Sequence, residues 1–130
     1  MELFPHDTTT AINQKKAGEC EAIEVILSAM KTHMNNVDVC ENGCLALCII
    51  TANNGKHQPQ SKDNLNEIIS TNPTTAGNQA EAGRCGAIEV ILNAMDAHMN
   101  ITGVCEYGCM ALCIITVNGK QQPQSKGNFE

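Results

Sequence analysis

The stretch Val39-Cys40-Glu41-Asn42-Gly43-Cys44-Leu45-Ala46-Leu47-Cys48-Ile49-Ile50 returns 65 residues later. Its second form is Val104-Cys105-Glu106-Tyr107-Gly108-Cys109-Met110-Ala111-Leu112-Cys113-Ile114-Ile115. The repetition extends outward on both sides. Thr9–Asn64 aligns with Thr74–Asn128 after one deletion near Asn53, with roughly 40 of about 55 positions identical. A self-similarity of this strength marks one structural unit used twice. The quoted stretch is apolar on nearly every side, so as a helix it must be flanked by other helices.

The rest of the unit has a helical period. Ile23, Ile26, Leu27, Met30 and Met34 form an amphipathic stripe at spacings of three, four and seven. Asn35 and Asn36 are weak helix formers and are expected to end that helix. Asp38, three residues before Glu41, has capping-box spacing and is expected to start the next helix. Asn54-Gly55 is expected to close it. Gly43 and Gly108 fall inside the apolar helix, where glycine costs about 1 kcal/mol; their recurrence points to close helix approach. Pro59 and Pro123 break helices at the same place in each copy. Leu65, Ile68 and Ile69 indicate a short connecting helix, and Asn72-Pro73-Thr74-Thr75-Ala76-Gly77 a loop. The expected organisation is an N-terminal segment over 1–12, units over 13–56 and 78–120, a linker over 57–77 and a tail over 121–130.

Composition narrows the function. In 130 residues there are two Phe, one Tyr and no Trp, so a core must come from aliphatic residues, Met, Ala and Cys. Thin helical layers suit that supply better than a barrel or sandwich. A net charge of -6 with eight basic residues lacks the clustered positive footprint of a nucleic-acid binder. Met1–Asp7 has neither the basic nor the apolar region of a secretory leader. The longest apolar run, Leu45–Ile50, is far below the roughly 20 residues of a membrane span. The expectation is a cytoplasmic protein with free thiols and no membrane contact. In that setting Asn100-Ile101-Thr102 is a chance sequon.

These residues resemble an armadillo-repeat protein. Asn13-Gln14 and Asn78-Gln79, followed by Ala17-Gly18 and Ala82-Gly83, resemble the family's short first helix. Ala22–Leu27 resembles its apolar second helix, and Val39–Thr51 its long third helix. The likeness covers Asn13–Asn54 and Asn78–Asn118, and HEAT-type repeats are the nearest competing label. It implies an all-α fold, an α-solenoid of two tandem units with an irregular connection. Two features depart from the pattern. The 65-residue spacing exceeds the roughly 40–47 residues of such repeats. The Trp and Asn that hold an extended peptide in the family are replaced at the matching positions by Leu45 and Ile49, and by Met110 and Ile114. Import-receptor activity is therefore not implied. Phe129-Glu130 aligns with Leu65-Asn66, so the chain is expected to belong to, or descend from, a longer array.

Candidate chemistry is sparse. Cys40, Cys44 and Cys48 recur as Cys105, Cys109 and Cys113. Cys40 and Cys44 share a helix face and could reach one metal together with Cys20 or His33. Equally, cysteine packs as a small apolar residue. His33 and His98, near helix ends, can offset the helix dipole. Gly55-Lys56 and Gly119-Lys120 lack the Ser or Thr and the glycine spacing of a phosphate loop. Glu24 and Glu89 are expected to be solvent-facing charges. No catalytic residue, metal or cofactor is expected.

What remains is a surface: Asn42, Leu45 and Ile49 on one third helix, and Tyr107, Met110 and Ile114 on the other. Exposed in a row, these mark a contact site for a protein partner, or else another copy of the chain covers them. The expected function is a non-catalytic scaffold for protein–protein interaction. The alternatives are a thiol-rich metal or redox binder using Cys40/Cys44 and Cys105/Cys109, and an array fragment without selected activity. Two units without caps should be only marginally stable, or should dimerise.

Overall fold

A computed structural model of the chain describes residues 8–52 and 73–117. Each block is three helices of matching length: α1 (Thr8–Glu19), α2 (Ala22–Thr32) and α3 (Val37–Thr51), then α4 (Pro73–Arg84), α5 (Ala87–Ala97) and α6 (Thr102–Thr116). No strand occurs among the described residues. The chain is all-α, and no described helix is long and apolar enough to cross a membrane.

Within each copy the three helices contact one another, and between copies like lies on like: α1 against α4, α2 against α5, α3 against α6. The third helices form the centre. As its composition demands, α3 is surrounded, touching α1, α2, α4 and α6. Ile23, Leu27 and Met30 of α2 are buried with Cys40, Cys44, Leu47 and Cys48 of α3. The core of the second copy comprises Ala87, Val90, Ile91 and Ala94 of α5 with Val104, Ala111, Ile114 and Ile115 of α6. No aromatic ring is among these fully buried residues, so the layers stay thin.

The glycine expectation holds. A Cβ on Gly43 would come within 2.6 Å of the Cγ and Sδ of Met30, and one on Gly108 within 2.6 Å of Met95 Cγ. Each glycine lets the second-helix methionine lie directly on the third-helix backbone.

Four boundaries differ from expectation. The cap of α3 is Asn36, whose Oδ1 accepts the Val39 N–H at 3.0 Å, which places Asp38 inside the first turn. The Asn36 side chain reaches this N–H from outside the helix, so the Asp38–Glu41 pair is not needed as a cap. At its other end α3 stops at Thr51, with the Ala52 N–H donating to the Cys48 carbonyl, before Asn54-Gly55. Residues 73–77 are helix, not loop, because proline at the first helical position lacks only an N–H that the first turn does not use. Finally, α1 begins at Thr8, ahead of the expected start at Asn13. The connecting Leu65, Ile68 and Ile69, the glycine–lysine pairs at 55–56 and 119–120, Pro59, Pro123 and the 121–130 tail lie outside the described residues.

Candidate functional site

The six candidate contact residues lie on α3 and α6 and differ in accessibility. Asn42 is exposed, and its Nδ2 donates to the Asp38 carbonyl at 2.9 Å. Leu45, Ile49, Tyr107 and Met110 are half-buried, and Tyr107 and Met110 pack against the core. Ile114 does not share the expected exposure: at 6 % it belongs to the core. The reason is that α6 turns a different side inward from α3. Where α3 buries Cys40, Cys44, Leu47, Cys48 and Thr51, α6 buries Val104, Gly108, Ala111, Ile114 and Ile115.

That difference is the central geometric fact. The two helices have nearly the same sequence, and the cysteine-bearing side of α3 meets the glycine-and-alanine side of α6. Several polar contacts bind this seam, among them the following. The Cys48 thiol donates to the Tyr107 carbonyl at 3.4 Å. His98 Nε2 lies 2.8 Å from the Met34 carbonyl, which can only accept, so this nitrogen carries the proton. Asn78 Nδ2 donates to the Ile50 carbonyl at 3.1 Å.

Each copy leaves one side of the seam pattern unused. On the first copy the glycine-and-alanine side is open, and Ile26, Ala29, Met30, Val39, Gly43 and Ala46, with Asp38 and Asn42, line an apolar depression of ≈ 350 Å³. On the second copy the cysteine side is open, leaving Cys109, Cys113 and Thr116 exposed. Exposure reverses pairwise: Val25 is 65 % exposed and its equivalent Val90 5 %, while Leu92 is 50 % exposed and its equivalent Leu27 2 %. These positions were missed in the sequence because equivalent residues in two near-identical copies carry no mark of which is covered.

The thiols are all unbridged. Burial pushes the Cys44 and Cys48 thiols up to about 12, with neighbouring thiols adding to the shift, and it raises Cys40 too. A metal ligand must be a thiolate, which these surroundings disfavour. Among the described residues, the one cluster with metal-ligand spacing is instead Glu24, Glu81 and Cys85, their ligand atoms within 4.8 Å of one another. Here too the thiol is protonated. Desolvation, then the carboxylates of Glu81 and Glu24, push Cys85 up to about 11. It donates to Glu81 Oε2 at 3.3 Å and lies 3.6 Å from Glu24 Oε2. That thiol and the Arg84 guanidinium hold the Glu81 carboxyl below its usual range. The cluster therefore ties α2 to α4 by hydrogen bonds. Glu24 is solvent-exposed as expected, but it has this partner, whereas Glu89 is simply exposed.

His33 and His98 both follow their helices as C-cap residues, donating their backbone N–H to the Ala29 and Ala94 carbonyls. Only His98 has its ring in the seam; His33 is exposed. No family model, curated protein or solved structure matches the chain.

Proposed function

We propose that the protein is a non-catalytic, cytoplasmic scaffold for protein–protein interaction, built as a two-unit α-solenoid of armadillo-like repeats. One observation carries the proposal: Leu45 and Ile49 on α3, with Tyr107 and Met110 on the adjoining α6, remain partly accessible on neighbouring helices. Half-buried aliphatic, Met and Tyr side chains on a rigid helical layer suit a protein partner, because they present apolar area at low entropic cost. Like-on-like contact of the three helix pairs supports the solenoid reading, since stacked repeats draw stability from such neighbour interfaces.

The test is affinity capture with the intact chain, identification of the captured protein, and titration of the two purified components. Leu45→Asp/Ile49→Asp should weaken binding by more than about tenfold, given that a contact residue at the centre of an interface is worth 2 kcal/mol or more. Unchanged binding by a helical, monodisperse double variant would overturn the choice of surface. Metal analysis of the purified protein separates the scaffold from a thiol-based metal binder, which requires stoichiometric metal lost on replacing Cys40 and Cys44.

A further inference from the structure

We infer that the protein associates end to end with further copies of itself, the open face of one chain's second unit seating on the open face of the next chain's first unit. This proposal uses the two end faces and not the α3–α6 row assigned to a partner, so either can fail alone.

The occupant is identified by the seam inside the chain. There, the cysteine side of the first unit covers the glycine-and-alanine side of the second. The second unit carries the same cysteine side, open, and the first unit the same glycine-and-alanine side, open. Surroundings within each unit are nearly the same in sequence, so the difference between equivalent residues measures what a neighbouring unit covers. By that measure, stacking would cover Val25 as Val90 is covered, and Leu92 as Leu27 is covered. The depression between α2 and α3 is the open counterpart of a site lined by Ile91, Ala94, Val104 and Ala111, all of them buried beside α3.

The polar contacts have counterparts as well. The Cys113 thiol is placed to donate to the next chain's Asn42 carbonyl, as Cys48 does to Tyr107. Exposed His33 and Asn13 are the equivalents of the seam residues His98 and Asn78, and would reach the carbonyls of Met99 and Ile115. Such an interface joins two different patches, so it does not close on itself in a pair and produces open chains.

Of the positions that differ, one pair sets the strength. Inside the chain the Glu41 carboxylate lies against Gly103, so that a side chain there would turn the flexible carboxylate aside. Between chains the equivalent pair is Glu106 against Asp38, two exposed acids in place of an acid and a glycine. Their repulsion weakens the association at low ionic strength and is screened by salt.

Sedimentation velocity on the full chain over a concentration series tests this. Mass should rise with concentration, and more steeply at high salt. Asp38→Asn and Glu106→Gln, which keep shape and remove charge, should each strengthen association by about tenfold or more. Val25→Glu and Leu92→Glu, both at exposed positions, should each abolish growth alone, while their mixture gives one-to-one pairs and nothing larger. The exposed Cys109 and Cys113 should lose thiol reactivity as concentration rises. Helical, monomeric protein at all concentrations, in the wild type and in Asp38→Asn alike, would overturn the proposal. So would symmetric dimers unaffected by mixing the two blocks, or protection of Cys113 independent of concentration, which would assign the face to the chain's own residues 118–130.

Discussion

Glu21 and Gly86 occupy equivalent positions between the first and second helices of their copies, and both are left-handed, with φ of 64° and 88°. The turn that redirects the chain requires this conformation, which costs an L-residue roughly 1–2 kcal/mol and glycine almost nothing. Glu21→Gly should therefore stabilise the protein by about 0.5–1 kcal/mol after its greater unfolded-state freedom is subtracted. Denaturant unfolding measures the change, and Gly86→Glu should move stability the opposite way. At Gly43 the balance reverses. Alanine would gain about 1 kcal/mol of helix propensity, but its Cβ would meet the fully buried Met30. Overpacking of that kind costs about 1–3 kcal/mol. Gly43→Ala should lower stability, and Gly108→Ala should do so less, because half-buried Met95 can swing outward.

At the scale of elements, residues of the two Asn-Gln pairs, Gln14 from the first copy and Asn78 and Gln79 from the second, close α3. The last carbonyls of a helix have no partners within it. Those of α3 are taken by side-chain amides: Gln14 Nε2 donates to Ile49 at 2.7 Å and to Ala52 at 3.0 Å, Asn78 to Ile50, and Gln79 to Thr51 at 2.9 Å. α3 is thus capped by the first helices of both copies, which couples helix termination to stacking. Asn78→Ala should leave a carbonyl in the seam unpaired and cost about 1–3 kcal/mol. Asn13→Ala, at the exposed equivalent, should stay within about 0.5 kcal/mol, a contrast readable in paired thermal melts. The second and third helices of each copy and their order were legible in the sequence, the second from its period of 3.6 and the third from its apolar run, whereas the first helices were expected only from the family resemblance. Helix ends were less legible. Asn36 and Asp38 are both good caps two residues apart, and only the observed hydrogen bond from Val39 separates them. Pro73 follows a run of loop-forming residues, yet it opens α4.

Across the whole molecule, the seam buries thiols that must keep their protons. For Cys44 and Cys48, with folded values near 12, the contribution to stability is fully present below the ordinary thiol range. As pH climbs from about 8.5 the unfolded chain loses protons that the folded chain retains, so stability falls toward pH 12. A pH series of thermal melts should show a plateau up to about pH 8.5 and a decline above it. Cys48→Ala should start lower, because of its cavity, and decline less steeply. A parallel slope would mean that other groups govern the alkaline limit. The candidate surface was only partly legible at this scale. Asn42, Leu45 and Ile49, singled out by their place on an apolar helix, are exposed or half-buried, but the same logic put Ile114 outside, where the structure has it at 6 % exposure.

The sequence alone determined the duplicated helical unit, its reliance on sulfur and aliphatic packing, and the glycines that allow close helix approach. Each follows from local period, composition or recurrence, which any stretch of chain displays by itself. Which side of each third helix is covered was decided by tertiary structure. Copies with nearly the same sequence cannot differ in propensity, and only the position of a neighbour makes Cys44 buried and Cys109 exposed.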